Sequence, residues 1–256
     1  MLVTPIKDPH NFRCAAALKK IVPRRATVNV PLFFSGNLEF ALSSSGRRVH
    51  AITNKYVIYE FWKCAFHDPH RIIKISEHLF KNRDKNMLYY LQEDWPKYRD
   101  PYLRSSLFFL LNRFSSTGYQ SHGELDYDNY NPIALNRLKK LNDNNFTLEL
   151  IAADNFLEKL KEISTKDYIL MPIGAFSFNF FEHGKNEGWE TTKVNHTLVR
   201  DFLKETDSKT ILVYKKHGAL ESFFKGFNKL YSNKYGNATT DISEAEEVLI
   251  ANFRIN

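Results

Sequence analysis

Apolar and polar positions along the chain alternate between two periods, and each change of period marks an element. Residues 13–23 (RCAAALKKIVP) combine strong helix formers with a terminal proline, which predicts a short helix. Residues 27–34 (TVNVPLFF) are a β-branched and apolar run broken by Ser-Gly-Asn, which predicts a strand. Residues 38–46 (LEFALSSSG) predict a helix closed by Gly46, and residues 47–53 (RRVHAIT) a second short strand. Strand, glycine turn, helix, glycine and strand make a βαβ unit, which argues for a parallel sheet.

Between residues 55 and about 119 the strand signal disappears. Apolar residues recur at helical spacing in YVIYEFWKCAF, HRIIKISEHLF and YLRSSLFFLLNRF, so this stretch predicts a helical block with polar, basic joints. After a polar, tyrosine-rich loop at 123–131, the sequence predicts a helix (132–142), a strand (146–154) and a helix (155–163) with Asp154 as its cap. A buried strand at 166–174 (KDYILMPIG) follows, then a polar and aromatic loop to 192, a helix at 194–206 and a strand at 209–216. Residues 220–231 (LESFFKGFNKLY) read as a helix and 246–253 (EEVLIANF) as a closing strand. The expected architecture is an α/β sheet formed by residues 1–54 and 126–256, with residues 55–125 inserted as helices after its second strand.

Composition narrows the class. The 256 residues are 43% hydrophobic and 25% charged, which excludes disorder over most of the length. Two cysteines, Cys14 and Cys64, are too few for a disulfide scaffold and imply a reducing compartment. No apolar run approaches the roughly 18 residues that cross a bilayer, and the first residues carry no signal-peptide pattern. A soluble, intracellular protein is expected, in the cytoplasm or within a nucleoprotein or viral assembly. The net charge of +7 points toward a polyanion, most often nucleic acid; the plain alternative is a solvated surface.

The order of these elements resembles the Dam-type adenine-specific DNA methyltransferases over nearly the whole chain. Residues 31–42 (PLFFSGNLEFAL) are similar to that family's P-F-x-G-x-G cofactor turn, and 111–118 (LNRFSSTG) to its N-R-T-x-F-x-G segment. Residues 152–156 (AADNF) resemble its adenine-holding acidic step, and 246–253 its terminal strand. The resemblance implies a Rossmann-like, S-adenosylmethionine-dependent methyltransferase fold with a helical target-recognition insertion after the second strand. The chain length matches such a core plus its insertion.

The family's chemistry needs glycines where the backbone meets the cofactor, an acid after the second strand, and a D-P-P-Y loop that holds a flipped adenine. Here the first motif glycine is replaced by Phe34, Gly36 is retained, and the acid position is Thr53. The loop reads Met171-Pro172-Ile173-Gly174, or Pro172-Ile173-Gly174-Ala175 in the neighbouring register; neither holds an acid. Phe34, Gly36, Thr53 and Asp154 are therefore read as vestigial cofactor positions, with Gly36 as a turn glycine and Asp154 as a helix cap in the alternative reading. Phe176 or Phe178 keeps the capacity to stack on a base, and Asn179 to accept at a base edge.

Each lost buried acceptor weakens binding by about 1–3 kcal/mol, so the expectation is a degenerate, catalytically inactive DNA adenine methyltransferase-like protein that acts as a DNA-binding, accessory or structural subunit, with no cofactor and no metal. An active enzyme that uses S-adenosylmethionine in a divergent site is the alternative, and a protein-interaction module is a third reading. Candidate nucleic-acid contacts are Arg47, Arg48, Arg71, Lys74, Asn112, Arg113, Lys215 and Lys216. Double-stranded DNA and a protein partner are the two partner classes expected; a membrane is not.

Overall fold

A computed structural model describes residues 4–81, 84–121, 123–141, 144–152, 156–163, 166–176 and 194–255. An eight-stranded mixed sheet runs through it in the order β3-β2-β1-β4-β5-β8-β6-β7. The first five strands in that order are parallel: β1 (Thr27–Val30), β2 (Arg48–Thr53), β3 (Phe146–Leu150), β4 (Tyr168–Gly174) and β5 (Lys209–Lys215). β8 (Ala245–Ala251) lies antiparallel between β5 and β6 (Asn228–Asn233), and the two-residue β7 (Ala238–Thr239) edges the sheet.

Helices cover both faces, as a parallel sheet requires, because both faces of its strands are apolar. The period-two alternation of β4 shows the division directly. Leu170 joins one core with Val28, Val30, Ala51 and the helices α1 (Ala15–Ile21), α2 (Asn37–Ser43), α3 (Tyr56–His67), α4 (Pro69–Lys81) and α6 (Pro101–Phe114). Ile169, Met171 and Ile173 join the other, against α9 (His196–Glu205) and α10 (Leu220–Phe223).

The helical block after β2 also contains α5 (Lys85–Asp94), which the sequence pattern did not mark. Its helices share one apolar cluster with the sheet: Phe61 stacks on Phe108 with centroids 4.5 Å apart, and Phe40 of α2 stacks on Phe146 of β3 at 4.9 Å. α7 (Pro132–Lys139) begins with the expected proline, and Asn131 caps it by accepting from the Ala134 N–H. α8 (Phe156–Lys161) follows β3; the Asp154 cap assigned to it lies outside the described residues.

The largest departure from expectation concerns residues 220–231. Only Leu220–Phe223 is helical; Gly226 takes φ 90°, and Asn228–Asn233 becomes a strand paired along β8. A helix that short gains little from propagation, whereas the pairing satisfies a full row of backbone groups along β8. β1 is also shorter than its sequence run, because Pro31 turns the chain out of the sheet.

Candidate functional site

Strand order reverses between β1 and β4, and in open α/β sheets ligands bind beyond the carboxyl ends of the strands at such a point. Four of the sequence-derived positions converge there: Phe34, Gly36, Pro172 and Ile173, with Gly174 at the end of β4. Among the described residues Phe34, Pro172 and Ile173 line a cavity of about 100 Å³ there. Pockets that take a drug-sized ligand run from about 300 to 1,000 Å³.

Gly36 starts α2 with φ 76°. A Cβ there would lie 2.2 Å from the Phe40 ring, so side-chain packing and backbone handedness both require glycine. Phe34 sits where the resemblance implies a glycine. Its carbonyl accepts from Trp62 Nε1 at 2.8 Å, and its ring meets Tyr119 and Phe108 at centroid distances of 6.0 and 6.4 Å. Gly174 has φ 96°, and a Cβ there would come within 2.4 Å of the His10 ring. The N-terminal segment thus lays an imidazole over the end of β4. Met171 points into the second core, and β4 carries a register shift at Pro172 and Gly174, where a proline is tolerated.

Thr53, where the resemblance implies an acid, is buried; its hydroxyl accepts from the Lys55 N–H at 3.2 Å. The cavity's polar groups come instead from positions the sequence reading did not single out: Asp8, His10, Asn37 and Glu39. Asp8 accepts from His10 N, Phe12 N and Asn37 Nδ2 at 2.9–3.1 Å. Asn37 Oδ1 is buried without a partner. Glu39 is 3% exposed, and burial pushes its carboxyl up to about 7. The backbone N–H groups of Glu39 and Leu38 act against that rise, and the nearby charge of Asp8 adds to it. Burial also holds the His10 imidazole below its ordinary value, with Lys215 acting in the same direction against Asp8. The visible signal for Glu39 was its place three residues after Gly36, where a helix-capping acid belongs.

S-adenosylmethionine, the cofactor implied by the resemblance, does not fit these residues. Among the described residues the cavity holds about 100 Å³, a phenyl ring stands where the resemblance implies the first glycine, and Thr53 stands where it implies an acid. Among the described residues, no group of three or more His, Cys, Asp or Glu is placed to hold a metal ion.

The nucleic-acid candidates do not share one surface. Arg47 is 4% exposed and directs its guanidinium inward: Nε and Nη2 donate to the Val22 carbonyl, Nη2 to Lys19 O and Nη1 to Ser45. Arg48 is exposed beside it, at the amino end of β2 and so at the opposite end of the sheet from the cavity. Arg71 pairs with Asp100 and stacks over Tyr102; Lys74 is exposed on the same helix. Asn112 is fully buried and ties the Lys7 backbone to the Gly118 carbonyl. Arg113 donates to Asn129 O. Lys215 pairs with the buried Glu247 at 2.7 Å, while Lys216 donates to the carbonyls of Ile242 and Ser243. Phe178 and Asn179 lie outside the described residues. Phe176 packs against His196, Tyr214, His217 and Phe223 and so is taken up by the second core.

Compared with known proteins, the chain matches no protein-family model and no curated protein. No helix among the described residues is long and apolar enough to cross a membrane.

Proposed function

We propose that this protein is a degenerate, adenine-methyltransferase-like protein that has lost methyl transfer and serves as a DNA-contacting accessory subunit. The observation that carries this reading is the turn after β1, where Phe34, locked by Trp62, Phe108 and Tyr119, stands against a cavity of about 100 Å³. The parallel order β3-β2-β1-β4-β5 supports the Rossmann-like part of the reading. β8, the segment similar to the family's terminal strand, supports the methyltransferase-like part by closing the sheet between β5 and β6.

One observation favours a second reading, an active enzyme with a divergent site: Asp8 and Glu39 bring carboxyl groups to the cavity beside β4. An adenine amine needs free acceptors. Asp8 already accepts three hydrogen bonds, and Glu39 is near half-protonated at neutral pH. Those facts weigh toward the first reading. Incubation with methyl-labelled S-adenosylmethionine and mixed-sequence duplex DNA separates the two. Label retained on DNA, and lost on Glu39→Gln substitution, would establish the enzyme; no transfer is expected.

A further inference from the structure

A second cavity, of about 370 Å³, lies on the other side of the wall made by Asp8, Pro9 and Asn37. Three cations far apart in sequence meet there: Lys7 from the N-terminal segment, Arg113 from the last turn of α6, and Arg137 from α7. We propose that Lys7, Arg113 and Arg137 form a binding site for a phosphate group.

The three cations are held by main-chain carbonyls rather than by carboxylates. Lys7 Nζ donates to Ser115 O at 2.8 Å, Arg113 Nη2 to Asn129 O at 3.1 Å, and Arg137 Nη1 to Thr4 O at 3.5 Å. None of the three forms an ion pair among the described residues. Asp8 also lines the cavity, but its oxygens accept from two backbone N–H groups and from Asn37. Arg113 Nε is buried with no acceptor. An ammonium carries three donors and a guanidinium five, so each cation keeps donors beyond its carbonyl contact.

Like charges gathered in a partly buried pocket repel one another, and the effect is visible. Burial first, and then Arg113, lower the Lys7 ammonium to about 8, with only Asp126 acting the other way. Burial first, and then Arg137, lower the Arg113 guanidinium. An entering anion offsets the repulsion between the cations and compensates the charge that burial has desolvated. A phosphate suits the arrangement better than a carboxylate, because its tetrahedral oxygens can receive donors from three directions and arginine forks bind it in pairs. Gly118, at φ 82°, brings the backbone close to the N-terminal segment; a Cβ there would lie 3.3 Å from Lys7 Cβ and 3.4 Å from the Pro9 backbone.

The site stands on these contacts whether or not methyl transfer is lost, and it deepens only the DNA-contacting part of the reading above. A phosphodiester of nucleic acid and a free phosphate are its two sources. The test titrates the full chain by calorimetry with inorganic phosphate at constant ionic strength, and separately with a short DNA duplex across a salt series. Arg137→Gln and Lys7→Gln are compared with Arg24→Gln, an exposed cation elsewhere.

Each of the two pocket variants is expected to weaken the occupied probe by about tenfold, with Arg24→Gln unchanged. Duplex binding whose salt slope falls by about 0.9 per removed charge identifies the phosphodiester source. Saturable inorganic phosphate with no duplex effect identifies free phosphate. The proposal is overturned if neither probe binds, or if both pocket variants bind as the wild type does. Because S-adenosylmethionine is absent from this test, its failure is separate from failure of the methyltransferase-like reading.

Discussion

Glu39→Gln offers a quantitative check on the cavity, because the substitution keeps the side-chain shape and one carbonyl acceptor for the backbone N–H groups and removes the ionisation. In the unfolded chain the carboxyl titrates near its ordinary value of 4.5; in the fold burial raises it to about 7. Between those values the native state binds more protons than the unfolded state, so stability falls as pH rises through the window. Below pH 4.5 the penalty is absent, and above about 7 it is complete. At about 1.4 kcal/mol per pH unit, the full penalty is about 3 kcal/mol. For a chain of this size that corresponds to a melting shift of roughly 6–12 °C. The variant should therefore melt close to the wild type at pH 4.5 and progressively above it toward pH 8. Thermal melts followed by circular dichroism at half-unit intervals would measure the difference. A gap independent of pH, or one that widens toward acid, would refute the burial of Glu39.

Gly36→Ala should destabilise the fold by at least about 1–2 kcal/mol from the left-handed backbone alone, with a further loss from the Phe40 contact. Adding Phe40→Leu should recover only that second part, read by urea denaturation of both single variants and the double variant. Arg47→Met should cost about 3 kcal/mol, since several charge-assisted bonds to carbonyls are lost together. It should leave duplex affinity unchanged in protein that remains folded; a selective loss of DNA binding would place the guanidinium outside.

The order of strands and helices was largely legible, because the apolar period changes cleanly at each βαβ step and glycine or proline marks most joints. It failed where two periods overlap. The residues 220–231 have helical apolar spacing, but Gly226 breaks that helix and the backbone from Asn228 onward pairs along β8, so the long-range ladder prevails over the local period. The small residues at the turn after β1 were partly legible, since Gly36 with its positive φ starts α2 as its place before a helical run suggests.

Charge placement was not legible in the same way. Arg47 looks like half of a basic pair, yet the left-handed turn at Gly46 delivers it to the end of α1, where the carbonyls of Lys19 and Val22 need donors. Lys7, Arg113 and Arg137 look like scattered surface cations and meet only in the fold. Asp8 and Glu39 share a cavity although 31 positions separate them; nothing in the local sequence of either points to the other.

The most direct measurement of the central claim is calorimetric titration of the full chain with S-adenosylmethionine at pH 7. No saturable heat is expected up to millimolar cofactor, because Phe34 and the small cavity leave no seat for it. A stoichiometric isotherm with micromolar affinity would contradict the loss of the cofactor site.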